Sequence, residues 1–177
     1  LDDQLLEALV NLPGSSNPLY LKTVLSELRL FGAFTNLAEK IRSDFGETPV
    51  SAFNAVLARL ENDPAYSATD PKQAIPLLFG LLSHAQQGLS VEELSEIFAQ
   101  VLGVGREDAA ETVHLYLRQV RPFLAHREGR YDFFFDSFNI AALARYEGEQ
   151  PLQRSKKDWH RLLADYFTGQ PLHRVEG

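Results

Sequence analysis

The fold is decided by residues 121–135, which read RPFLAHREGRYDFFF, because the hydrophobic period changes here from that of a helix to that of a strand. Residues 123–126 and 131–135 predict two short strands, and residues 127–130 predict the turn between them. Side chains of a strand alternate between its two faces, so one face of the second strand is aromatic. Its members are Tyr131, Phe133 and Phe135. The stretch therefore predicts a short β-hairpin.

Five stretches around the hairpin carry apolar residues at helical spacing. They are residues 74–85, 90–103, 107–121, 137–146 and 156–168. Pro76 is a candidate for the start of the first of them. Ser90 and Glu93 form a capping box at the start of the second, since each side chain can bond a backbone N–H of the first turn. Three helices followed by a hairpin, over residues 74–135, is the order of a winged helix.

Four more helices are predicted ahead of this unit. They cover about residues 2–12, 18–32 and 34–45, and a stretch that starts at 48–49. Asn17 is a good N-cap, and Pro18 suits the first helical position because its missing N–H costs nothing there. The first helix places four apolar residues on one side, namely Leu5, Leu6, Leu9 and Val10.

The polar, proline-bearing stretch 62–71 predicts a domain boundary. The predicted domains are a helical bundle over residues 1–70 and a winged-helix domain with C-terminal helices over residues 71–177. The predicted fold class is mainly α: a four-helix bundle-like unit followed by a winged-helix unit with one short β-hairpin.

Composition excludes several classes of function. The chain has a formal charge of −7, no Cys and no Met, and it begins at Leu1, so we expect a piece of a larger protein. The absence of Cys excludes disulfides and thiol chemistry. No apolar run approaches the ~20 residues that span a bilayer, and Asp2 and Asp3 stand where a signal peptide carries positive charge. We therefore expect a cytoplasmic location and no membrane partner.

No residue pattern indicates catalysis or metal binding. The chain contains neither a phosphate loop nor a G-x-S-x-G elbow. Its five histidines never fall at metal-ligand spacing. We therefore expect no catalytic residue and no metal site, and the chain on its own is not predicted to be an enzyme.

Winged helices often bind nucleic acid, but the charges disfavour it here. The helix over 107–121 begins with Glu107, Asp108 and Glu111, which would face a phosphate backbone. The basic residues available are Arg127 and Arg130 at the hairpin tip and Lys156 and Lys157, and these are typical of a solvated surface. We expect no nucleic-acid partner. A DNA-binding transcription regulator and a protein-interaction adaptor stay as the alternative functions.

Several segments in order resemble the region that follows the ATPase core in signalling ATPases of the NACHT/STAND type. These are residues 17–22 (NPLYLK), 27–32 (ELRLFG), 83–94, 133–138 and 160–167 (HRLLADYF). The telomerase-associated-protein and nephrocystin-like members are the most similar. The resemblance implies a regulatory helical and winged-helix module that packs on an ATPase lobe, absent from this chain, and relays its nucleotide state. It also implies ATP or ADP with Mg in the parent protein, sensor repeats in the same polypeptide and a nucleotide-dependent homo-oligomer.

The resemblance also implies three nucleotide-contacting residues. Pro18 matches the proline that family members place against the adenine, and Asn17 beside it stands where many relatives have Gly. Asp136 matches the Asp of a His-Asp pair that reaches the ADP phosphate, while Phe135 takes the place of the His. Phenylalanine cannot donate a hydrogen bond to phosphate. From the residues alone, Pro18 simply starts a helix and Asp136 caps the helix that begins near Ser137.

Overall fold

The computed structural model of the chain describes residues 3–30, 41, 43–63 and 69–169. The chain divides into two compact units, Leu1–Ala58 and Arg59–Gly177. The predicted boundary between residues 70 and 71 therefore lies inside the second unit. The division falls earlier because the last turn of the helix over 49–61 is bonded to later parts of the chain. Arg59 donates a hydrogen bond to Gln119, and Glu61 binds Arg145.

The first unit is helical in the residues described. Its elements are α1 (Asp3–Val10), a 3-10 turn (Pro13–Ser16), α2 (Pro18–Leu28) and most of α3 (Pro49–Glu61). The helix predicted over 34–45 lies largely outside the described residues, although residues 41, 43 and 44 are helical. An apolar cluster forms part of the core of this unit. It consists of Leu9, Leu12, Tyr20, Val24, Leu28, Ile41, Phe45 and Ala52.

Tyr20 links α2 to the segment before α3 in the first unit. Its ring is fully buried, and its hydroxyl donates a 2.7 Å hydrogen bond to the carbonyl of Gly46. A Cβ added at Gly14 would lie 2.8 Å from Cγ of this ring, so the turn before α2 needs glycine there. The predicted apolar side of α1 is only partly buried, because Leu9 is buried while Leu6 and Val10 are 52% and 67% exposed.

The second unit combines helices with a small sheet. Its elements are α4 (Pro71–His84), β1 (Leu89–Ser90), α5 (Val91–Leu102), α6 (Arg106–Gln119), a 3-10 turn (Arg121–Phe123), β2 (Leu124–Arg127), β3 (Arg130–Phe133), α7 (Asp136–Tyr146) and α8 (Lys156–Phe167). The sheet is antiparallel in the order β1-β3-β2. Helix, strand, two helices and a hairpin in this order form the winged-helix arrangement. The predicted mainly α fold with a short β-hairpin is confirmed, whereas β1 was not predicted.

Local sequence signals set the bounds of these elements. Ser90 and Glu93 form the predicted capping box of α5, which ends at Gly103 with φ +67°. The hairpin turn is shorter than predicted. It uses Glu128 and Gly129, with φ of +51° and +78°, because a two-residue turn that matches the twist of the strands needs positive φ at both positions. β3 ends at Phe133, so Phe135 lies beyond the strand.

α4 is the central helix of the second unit. Residues 74–82 are all buried, and the Phe79 ring centroid lies 5.3 Å from that of Phe138. Gly80 admits Trp159, since an added Cβ would lie 2.8 Å from Cε2 of the indole and closer still to its outer carbons. Pro76 is inside α4 rather than at its start, because Asp70 caps the helix by accepting a hydrogen bond from the N–H of Lys72.

None of the helices in the described ranges has the length and apolar character needed to cross a membrane.

Candidate functional site

Asn17 and Pro18 begin α2. The side-chain oxygen of Asn17 accepts hydrogen bonds from the N–H groups of Leu19 and Tyr20 at 2.9 and 3.3 Å. Pro18 is exposed at the first helical position. The amide of Asn17 is therefore engaged in capping, and Pro18 presents its ring to the surface of the first unit.

Phe135 and Asp136 begin α7. Phe135 occupies the N-cap position, where its side chain makes no capping bond, and its ring meets that of Phe134 edge-on at 4.8 Å. Asp136 is exposed in the first turn, where a carboxylate stabilises the helix dipole. The three residues predicted to contact nucleotide divide between the units, with Asn17 and Pro18 in the first and Asp136 in the second.

Helix α6 occupies the position that inserts into DNA in many winged helices. Its buried side is apolar, while Glu107, Asp108 and Glu111 are all exposed in its first two turns. We call these three residues the acidic face. Carboxylates at this end of a helix are favoured by the dipole, but they repel a phosphate backbone. The acidic face therefore places three negative charges on the exposed side of α6.

The hairpin of β2 and β3 is the wing of this unit. One of its two arginines is bound to a carboxylate, so the wing presents less positive charge to solvent than its sequence indicates. Arg130 donates two hydrogen bonds to Glu93, from Nη1 to Oε2 at 3.0 Å and from Nη2 to Oε1 at 2.8 Å. Its Nη1 also donates to the carbonyl of Gly88 at 3.0 Å. Arg130 therefore ties β3 to the start of α5 and is not the solvated cation that was predicted. Arg127, its cross-strand partner, is exposed.

A carboxylate-centred network joins the end of α3 to α7. Arg145 donates from Nε and Nη2 to the two oxygens of Glu61 at 2.7 and 2.6 Å. The hydroxyl of Tyr146 donates to Oε1 of the same carboxylate at 2.7 Å. Burial and the hydrogen bond to Glu61 raise the pKa of the Tyr146 phenol far above its usual range. Glu61 therefore links the end of α3 to α7 within the second unit.

A second cluster surrounds Trp159 of α8. The indole is fully buried and donates from Nε1 to the carbonyl of Tyr146 at 3.3 Å. The His84 ring stacks against it at 5.7 Å between centroids. Nε2 of that histidine lies 2.7 Å from Oε2 of Glu147, and Nδ1 lies 2.8 Å from the carbonyl of Gly80. Both ring nitrogens of His84 are thus occupied, so it positions Trp159 and residue 147 rather than serving as a free base.

Arg154 completes this cluster, and its guanidinium carbon lies 4.9 Å from the centroid of the Trp159 ring. Burial lowers the pKa of Arg154 from its ordinary value, although a guanidinium stays charged in proteins. Within the described ranges, no carboxylate forms an ion pair with Arg154 and its guanidinium donates no hydrogen bond. A half-buried cation therefore rests on an aromatic face without a counter-charge bound to it.

Arg154 contributes to the lining of two cavities. One, of about 310 Å³, lies among the start of α4, the end of α5 and the loop over 152–154, and also contains Lys72. We call it the Arg154 cavity. The other, of about 520 Å³, lies along α8 and is lined by both acidic and basic residues. Sequence reasoning missed this region because no local pattern links Lys72 with Arg154.

The described residues contain no group of three or more His, Asp or Glu side chains placed to hold a metal ion. No family model, no curated protein and no solved structure matches the chain significantly.

Proposed function

We propose that this chain is a regulatory helical and winged-helix module of a STAND-type signalling ATPase. In this role it packs on an ATPase lobe of the same polypeptide and relays whether that lobe holds ADP or ATP. The observation that carries the proposal is the acidic face, because Glu107, Asp108 and Glu111 stand exposed where a DNA-binding winged helix needs cations. The order of the units, helical first and winged helix second, agrees with the resemblance of residues 17–32 and 83–167.

The electrostatic argument separates a protein partner from DNA. Binding to DNA gains most of its affinity when Lys and Arg neutralise phosphates and release counterions. The exposed side of α6 offers three carboxylates in its leading turns, and Arg130 of the wing is already bound to Glu93. A basic surface on an ATPase lobe is a complementary partner for such a face, since complementary charge steers association and fixes register.

Two positions that match nucleotide-contacting residues of NACHT/STAND ATPases would bring this module into contact with the nucleotide. Pro18 has an exposed ring free to meet an adenine, and Asp136 has an exposed carboxylate at the start of α7. Phe135 cannot bind phosphate, so the module reads the nucleotide through its contact with the lobe more than through a bond of its own.

The reading frame upstream of Leu1 gives the first test. The proposal requires a phosphate loop and a Walker B aspartate in the same frame, and a start codon a few residues before Leu1 would overturn it.

A binding experiment gives the second test. The upstream lobe is purified separately, loaded with ADP or with a non-hydrolysable ATP analogue, and titrated with the 177-residue chain. We expect the ADP-loaded lobe to bind at least about fivefold more tightly, which is the lower range of measured allosteric coupling. Glu111→Lys should weaken the ADP complex, while the matched reversal Glu149→Lys in the exposed loop after α7 should not. Equal affinity for the two loaded lobes contradicts the proposed relay.

A further inference from the structure

We propose that the Arg154 cavity binds a short peptide segment that presents an acidic side chain next to an apolar one. The charge of the lining is the first reason. The chain as a whole is acidic, yet the described residues that line this cavity include Lys72 and Arg154 and no carboxylate. Glu61, whose charge acts on Lys72, is held by two hydrogen bonds from Arg145. The cavity therefore attracts an anion.

Pre-organisation of Arg154 is the second reason. Its guanidinium lies over the Trp159 ring, and that ring is fixed by its hydrogen bond to Tyr146 and by its close fit against Gly80. A cation held in place on an aromatic face loses little freedom when it binds an anion. Planar guanidinium groups also match the two oxygens of a carboxylate.

The apolar part of the lining selects a peptide over a free anion. The remaining wall consists largely of apolar side chains, namely Pro76, Leu77, Val101, Leu102 and Leu152. Leu152 is 61% exposed at the rim and has φ +71°, a left-handed conformation that is strained for leucine. The strained loop thus holds an exposed apolar side chain beside the two cations. At about 310 Å³ the cavity is at the small end of ligand sites, with room for one or two side chains.

The neighbouring cavity along α8 does not offer the same chemistry. Its lining includes Glu149, Asp158 and Asp165 together with Arg154 and Arg161. These carboxylates oppose the entry of an anion, and the negative charge of Asp158 already acts on Arg154, where it offsets part of the lowering of the pKa by burial. An acidic segment therefore approaches Arg154 from the Arg154 cavity. This conclusion does not depend on the proposed function.

Trp159 provides the readout, because it is the only tryptophan of the chain. The ¹⁵N-labelled 177-residue chain is titrated with acetyl-Phe-Glu-Leu-amide while the indole N–H resonance is followed. Matched probes are acetyl-Phe-Gln-Leu-amide, acetyl-Ala-Glu-Ala-amide and sodium phosphate. We expect saturable shifts with the first peptide and about tenfold weaker binding of each other probe, a difference of about 1.4 kcal/mol. Equal binding of the Glu and Gln peptides, phosphate binding as tight as the first peptide, or no shift at all would overturn the proposal.

Two substitutions locate the binding. Lys72→Gln changes an exposed residue of the first turn of α4 and leaves the Trp159 cluster intact, so the fold is kept. It should weaken the Glu peptide at least about threefold and leave the Gln peptide unchanged, which reduces the preference for the Glu peptide because one of the two cations is gone. Lys157→Gln, an exposed lysine on α8 outside the lining, is the matched control. If both variants weaken the Glu peptide equally, the attraction comes from overall charge and the site is wrong.

Discussion

Glu61 makes the folding stability of the chain depend on pH. Burial alone would raise the pKa of this carboxyl, but the hydrogen bonds from Arg145 and Tyr146 and the charge of Arg145 hold it below its ordinary value of 4.5. The ionised form is therefore favoured in the folded state. A group of this kind contributes stability that is present above its ordinary pKa and is lost as the pH falls through the lower, folded value.

We predict that Glu61→Gln lowers the free energy of unfolding by about 2–3 kcal/mol at neutral pH, the range for hydrogen bonds to a largely buried charge. The difference from the unchanged protein should shrink as the pH falls from 4.5 through the lower pKa of the folded state, because both proteins carry a neutral group at this position once the pH is below that value. Urea unfolding over a series from about pH 7 to about pH 2.5 measures it.

Glu111→Gln serves as the control, since that carboxylate is exposed on α6. At neutral pH its free energy of unfolding should differ from that of the unchanged protein by less than about 0.5 kcal/mol. If the loss of stability in Glu61→Gln does not change with pH, the negative charge of Glu61 does not contribute to stability and the prediction is wrong.

Individual site residues were predictable only where the signal is local. Asn17 was correctly predicted as an N-cap, because its partners are the next two N–H groups along the chain. Arg154 and Lys72 were not predicted as neighbours, since α4 and the loop before α8 meet only through tertiary packing. Arg130 was interpreted as solvated for the same reason: its partner Glu93 lies 37 positions away.

At the scale of elements, Arg130 adds a side-chain link between the β2–β3 hairpin and α5, beside the pairing of β3 with β1. This side chain bonds Glu93 at the start of α5 and the carbonyl of Gly88, so it joins β3 to the segment that forms β1. Glu93 in turn accepts from the N–H of Ser90 at 2.8 Å as part of the capping box. One carboxylate therefore serves both the helix cap and the wing.

We predict that Arg130→Gln lowers the free energy of unfolding by about 1–2 kcal/mol, since the pair is partly exposed and solvent screens it. Arg127→Gln is a matched control, because Arg127 lies directly across the hairpin from Arg130 and is exposed. It should change stability by less than about 0.5 kcal/mol. Thermal unfolding of the three proteins measures the differences, and equal losses would show that the bond to Glu93 contributes nothing specific.

Helix bounds in the second unit were largely predictable because they depend on neighbouring residues. Ser90 caps α5 as predicted, and α8 begins at the predicted residue 156, where Ser155 accepts a hydrogen bond from the N–H of Asp158 at 3.2 Å. Features that depend on distant partners were not predictable. The two residues of β1 pair with β3, which lies about 40 positions later in the chain, and Phe167 of α8 is 57% exposed.

At the scale of the whole molecule, net charge decides how the chain meets nucleic acid. The formal charge is −7, so the average field repels a polyanion, and the acidic face adds to this where a winged helix would approach DNA. We predict no sequence-specific binding to duplex DNA. A gel shift with a random-sequence pool at physiological salt, followed by sequencing of any retained DNA, measures it.

Charge reversal makes this prediction sharper. Glu107→Lys combined with Glu111→Lys should create weak, salt-sensitive binding without preference for a sequence, because it adds phosphate contacts and no base readout. Enrichment of one sequence by the unchanged protein, lost in Arg127→Ala, would instead establish the transcription-regulator alternative.

The sheet order β1-β3-β2 also constrains how the second unit folds. α5 and α6 are joined by residues 103–105 only, and β2 and β3 by Glu128 and Gly129, so each pair forms through contacts local in the chain. Gly88 and Arg130 are 42 positions apart, and bringing them together closes a long loop at an entropic cost that local contacts avoid. We therefore expect β1 to join the sheet after the helices and the hairpin have formed. The slowest step in forming the sheet is then the pairing of the two residues of β1 with β3.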